Sequence, residues 1–119
     1  MSKNGFVDYV LYDAMQGISG LTAKAMFGGH GLYKDGVVFG IIADDELYFK
    51  VDEKNLPQYK ERGSQPFTYE GKNHKMIAMS YWEVPAEILE DREPLAKWVT
   101  ASVAASQRRA KTKKKNRRA

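Results

Sequence analysis

The chain contains no cysteine. That absence excludes disulfides, thiolate nucleophiles and cysteine zinc sites, and it fits a cytoplasmic protein. Histidine is almost as scarce. His30 and His74 stand far apart, without the H-x-x-x-H or H-x-E spacing of a metal site. No apolar run approaches the ~20 residues that cross a bilayer, so no membrane partner is expected. The N-terminus MSKNGFVDYV lacks the apolar segment and small-residue cleavage site of a secretion signal. From Gln107 onward there is no acidic residue.

What is present is a 119-residue chain, enough for one domain and one core. Its net charge of +4 hides a split. Eight of the 19 basic residues follow Gln107: Arg108, Arg109, Lys111, Lys113, Lys114, Lys115, Arg117 and Arg118. The other 11 face all 15 acids, so the body (1–106) carries −4 and the tail (107–119) +8. A like-charged run with no apolar residue beyond alanine cannot bury a core, so the tail is predicted to be disordered. Its functional reading is a DNA-binding arm that neutralises phosphates; the alternative is a solubilising terminus. Base-specific readout by the tail alone is not expected, since it has no aromatic residue.

Along the chain, Phe6, Val7, Val10, Leu11 and Ala14 form one helical stripe, with Asn4 as N-cap and Gly17 or Gly20 as stop. TAKAMF alternates, with Ala23, Ala25 and Phe27 on one face. GLYKDGVVFGIIA reads as two strands joined at Asp35-Gly36, a strong hairpin signal. A second acidic turn leads into a strand with Leu47, Phe49 and Val51 on one side and Tyr48 and Lys50 on the other. DEKNLPQYKERG predicts a short helix capped by Asn55, with Pro57 in its first turn and Gly63 after its end. A hairpin turning at residues 70–73 follows. Pro85 and Pro94 then each open a helix, the second carrying the stripe Leu95, Trp98, Val99, Ser102 and Val103. This order predicts an α+β fold in two layers, helices packed on a mainly antiparallel sheet built as a meander plus a hairpin.

Three motifs invite a chemical reading. GGHG does not meet the requirements of a phosphate loop, because its glycines sit between two strands and no helix N-terminus follows. Gly28, Gly29, Gly31 and Gly36 are read as structural, supplying positive φ or a bulge where strands turn. Asp44, Asp45 and Glu46 read as a solvated hairpin tip rather than an acid–base pair. Tyr33, Tyr48, Tyr69 and Tyr81 lie on predicted strands among Lys34, Lys50, Lys72 and Lys75, which suggests a platform for single-stranded nucleic acid. The competing reading is that the tyrosines pack a half-exposed sheet with wet hydroxyls, and the acidic body favours it. No catalytic residue, metal site or cofactor is expected.

Taken in order, MFGGHGLYKDGVVFGII, ELYFKVD, PFTYEG and MSYWEVPAEILEDREPLAKWVTASVAAS resemble the N-terminal domain of the TfoX/Sxy competence regulators. The resemblance covers Phe6 to Ser106. It implies a small α+β domain similar to secretion-chaperone-like folds, with no established catalytic residues. Full-length members are co-activators of competence genes, thought to act with the cyclic-AMP receptor protein at promoters. They carry a further C-terminal helical domain; this chain ends in RRAKTKKKNRRA, so a stand-alone form is the expectation. The resemblance thus implies a regulatory or interaction domain with a protein partner in the transcription machinery, and the tail adds DNA affinity. The alternatives are a nucleic-acid-binding sheet using Tyr33, Tyr48 and Tyr81, or a ligand-binding or catalytic centre at His30 and the acidic turn.

Overall fold

A computed structural model describes residues 5–26, 29–70 and 76–118, with side chains at all of these except 26, 69–70, 76–79 and 110–118. The chain begins with α1 (Gly5–Tyr9), which widens without a break into a π-helical turn over Val10–Ala14. Val7, Val10 and Ala14 of the predicted stripe are buried, and Phe6 and Leu11 pack beside them. The π-turn adds a member. Met15 N–H donates to the Val10 carbonyl at 2.9 Å, which brings Met15 into line with Val10 at 1% exposure. The predicted cap Asn4 lies outside the described residues. Gly17 (φ 96°) follows the helix.

Four strands then form the meander: β1 (Leu21–Met26), β2 (Gly29–Lys34), β3 (Val37–Ala43) and β4 (Glu46–Lys50). Both described hairpins have two-residue turns with positive φ at each central residue. These are Asp35 and Gly36 (48° and 83°), and Asp44 and Asp45 (51° and 59°). This geometry matches the twist of the flanking strands. The remaining strands are β5 (Pro66–Glu70) and β6 (Met76–Glu83), and β6 docks beside β4. The result is one antiparallel sheet of order β1-β2-β3-β4-β6-β5. The predicted fold class and the meander-plus-hairpin plan are therefore found.

The β2–β3 register slips between Leu32 and Tyr33, leaving Phe39 as an extra residue between Gly40, opposite Leu32, and Val38, opposite Tyr33. This bulge explains why consecutive Phe39 and Gly40 are both buried. Phe39 then meets Phe49 edge-on, 5.5 Å between centroids.

Short helices α2 (Leu56–Glu61) and α3 (Ala86–Leu89) and the long α4 (Arg92–Arg118) complete the chain. They pack on the sheet face that carries Leu32, Phe39, Ile42, Leu47 and Phe49. From α4 come Leu95, Trp98, Val99 and Ser102, all buried as the periodicity predicts. Trp98 packs against Tyr59 of α2 with the rings tilted by 51° and their centroids 4.4 Å apart. Asn55 differs from its predicted role. It occupies the N-cap position of α2 without a side-chain cap bond. Instead Oδ1 accepts from Asp52 N–H (2.8 Å) and Nδ2 donates to the Lys50 carbonyl (3.0 Å), so it brackets the end of β4.

The largest departure concerns the tail. The backbone of residues 107–118 continues α4 as helix where the sequence predicts a disordered arm. Alanine, lysine, arginine and glutamine are all strong helix formers, and no glycine or proline interrupts them. Charge and the lack of core-forming residues point to disorder, but a helix already nucleated by packing at Leu95–Ala105 extends at little cost.

Candidate functional site

α4 delivers the basic run to one end of the sheet. Ser106 Oγ donates to the Val38 carbonyl at 2.5 Å, tying the helix to β3. Two residues later Arg108 reaches Asp52, just beyond β4, and donates from Nε to Oδ2 (2.5 Å) and from Nη2 to Oδ1 (2.8 Å). This fork-on-carboxylate geometry fixes direction as well as charge. It holds the Asp52 carboxyl below its ordinary range, chiefly through the Arg108 hydrogen bond and with help from the Lys54 and Asn55 backbone. Arg108, one of the eight predicted phosphate contacts, is thus occupied as an anchor. Arg109 is exposed. The backbone positions of Lys111, Lys113, Lys114, Lys115, Arg117 and Arg118 lie on the helical extension.

Beside this anchor is an open cleft of about 640 Å³ lined by Lys50, Asp52, Glu53, Ser80, Arg108 and Arg109, among others. Lys50 Nζ donates to Ser80 Oγ at 2.7 Å and sits 5.0 Å above the Tyr81 ring. The cleft therefore joins the basic helix to the sheet face opposite the helices.

That face gathers Tyr33, Tyr48 and Tyr81. Lys24, Gly31, Ile41, Tyr48 and Glu83 form one cross-strand row. Burial raises the Tyr81 hydroxyl pKa, and the neighbouring Tyr33 adds to it. Lys24 Nζ sits 5.4 Å above the Tyr33 ring, and Tyr48 meets Phe67 edge-on at 5.0 Å. The Tyr48 end is acidic. Burial and then Glu46 raise the Glu83 carboxyl, while burial and then Glu83, Glu46 and Asp44 raise the Tyr48 hydroxyl. Sequence spacing identified these tyrosines. The ammonium positions above two of the rings depend on strand register, which the sequence does not print.

The other candidates resolve differently. Gly36 has the positive φ expected of it. Gly29 and Gly31 lie inside β2 and lack positive φ. Gly29 is needed for close approach, since a Cβ there would stand 2.2 Å from the Ile42 carbonyl oxygen. Gly28, Lys72, His74 and Lys75 fall outside the described residues. His30 sits half-buried on β2 opposite Ile42, and it lines neither the cleft nor the groove between α2 and α4. Among the described residues no group of three or more His, Asp or Glu could hold a metal. Among them, too, no helix is long and apolar enough to cross a membrane.

Comparison with curated proteins gives no match. The family model described as the TfoX N-terminal domain matches residues 13–106. That span runs from the π-helical turn to Ser106, the residue that ties α4 to β3, and takes in the whole sheet. The chain belongs to the TfoX N-terminal domain family.

Proposed function

We propose that this chain is a non-enzymatic regulatory domain whose folded body engages a protein partner while the basic end of α4 holds DNA without sequence preference. The observation that carries this reading is the continuation of α4 past Arg108, its Asp52 anchor, into seven further basic residues. An anchored cationic helix beside an acidic body approaches a phosphate backbone end-on, since the body repels it. Family membership supports a regulatory role. The transcription machinery, with the cyclic-AMP receptor protein, is the partner class, and competence genes are the proposed target. The setting is cytoplasmic. Filter retention of duplex DNA tests the DNA part. A chain ending at Arg108 keeps the anchor and is expected to lose retention with its thermal unfolding unchanged. Equal retention by both chains contradicts the proposal.

A second reading is favoured by the Lys24–Tyr33 and Lys50–Tyr81 pairs: the sheet face holds single-stranded nucleic acid by stacking, with lysines swinging to the phosphates. Here Tyr33→Leu and Tyr81→Leu each weaken single-strand binding by about 1–3 kcal/mol and leave duplex binding unchanged. Unchanged single-strand binding removes this reading.

A further inference from the structure

The two edges of the sheet are built differently. The β5 edge starts at Pro66 and slips register between Pro66 and Thr68, two devices that blunt strand pairing. The β1 edge has neither. It runs regularly through LTAKAM, pairing residue by residue with β2 from Leu21 opposite Lys34 to Met26 opposite Gly29.

Hydrogen-bond phase shows which backbone groups β1 offers. Asp35 N–H donates to the Gly20 carbonyl at 2.9 Å, which makes Gly20 and Asp35 a bonded pair. Bonded and non-bonded pairs alternate along an antiparallel ladder. Thr22, Lys24 and Met26 therefore exchange bonds with β2, and Leu21, Ala23 and Ala25 turn their N–H and C=O outward. Beside them lies a groove of about 510 Å³ whose lining includes Leu11, Tyr12, Ile18, Leu21, Thr22 and Ala23. Tyr12 in this groove is 74% exposed, the most exposed large apolar side chain among the described residues.

We infer that this edge pairs with β1 of a second copy of the chain, antiparallel about a two-fold axis through Ala23. An isologous pairing must place the outward residues opposite one another. Centring on Ala23 sets Ala23 opposite Ala23 and Leu21 opposite Ala25, so all three outward residues bond, and Thr22 faces Lys24. Centring on Lys24 would bring the two lysines face to face, which is destabilising. Centring on Thr22 leaves Ala25 opposite Ser19, outside the strand. Only the Ala23 register uses every outward group and sets no like charges opposite. It also brings the two grooves together around the axis. Lys24, which would guard a lone edge, faces a neutral hydroxyl there.

Light scattering over a concentration series, on the full chain, tests this. The chain is expected at twice its 13.5 kDa mass. Thr22 is exposed, so changing it spares the fold. Thr22→Lys places like charges at two symmetric pairs and is expected to raise the dimer dissociation constant about 2- to 30-fold. Thr22→Glu is expected to lower it, and Ala23→Pro, which removes the central N–H, to abolish the dimer. A wild-type chain at 13.5 kDa throughout the series overturns the inference, leaving the edge to some other strand. A dimer equally stable in Thr22→Lys and Thr22→Glu overturns it as well.

Discussion

Asp52 and Arg108 join the body to the basic helix through two short hydrogen bonds. The side chains keep 25% and 37% exposure, so water screens the pair, and about 1 kcal/mol is a fitting magnitude. Because the native state depresses the Asp52 pKa, this stabilisation is complete above the ordinary carboxylate value near pH 4 and disappears as pH falls through the lowered native value. Asp52→Asn keeps an oxygen for Lys54 N–H. It is expected to lower stability to urea by about 1 kcal/mol at pH 7, with the difference closing in strong acid. A gap constant with pH would assign the loss to something other than charge. Tyr59 presents the opposite case. Its ring packs on Trp98, burial raises its hydroxyl pKa, and neither that hydroxyl nor the neighbouring Ser102 Oγ has a sound hydrogen-bond partner among the described residues. Tyr59→Phe removes a desolvated hydroxyl, so stability is expected to hold or rise by up to about 1 kcal/mol. A comparable loss in thermal unfolding would show that the two hydroxyls bond each other.

At the level of elements, Asn55 shows how a loop becomes a joint. It is 5% exposed and holds the Lys50 carbonyl and the Asp52 N–H, so the chain leaves β4 and enters α2 at a fixed angle. That angle places Asp52 under Arg108. Asn55→Ala leaves two backbone groups unpaired and is expected to cost about 2 kcal/mol in urea unfolding. A shift of a few tenths would mean that water replaces the bracket. Much at this scale is legible in the sequence because it follows local periodicity and turn chemistry: the Asp35-Gly36 and Asp44-Asp45 turns, the Leu95–Val103 stripe, Gly63 after α2. What escapes depends on the partner across a gap. The Phe39 bulge is set by β2, the contribution of Met15 by a π-turn, the bracket of Asn55 by the Lys50 carbonyl and the Asp52 N–H, and Gly29 by the Ile42 carbonyl. The helix of the cationic tail escapes a local reading for a related reason, since it is templated by the packed half of α4.

On the scale of the molecule, charge is the organising quantity. A body of net charge −4 carries a cationic helix at one end of its sheet, with Arg108 as the anchor between them. The site read from sequence divides accordingly. The tyrosine spacing and the basic run were visible, whereas the cleft joining them arises only when Lys50, Ser80 and Arg108 converge. The salt dependence of duplex DNA binding tests the central claim most directly, comparing the full chain with one ending at Arg108. The seven basic residues beyond Arg108 set a ceiling, so the logarithm of affinity should fall with the logarithm of salt at a slope no steeper than about −6. The shortened chain, left with net charge −3, should show no measurable binding. A shallow slope near zero for the full chain, or the same slope and affinity for both, would contradict the account.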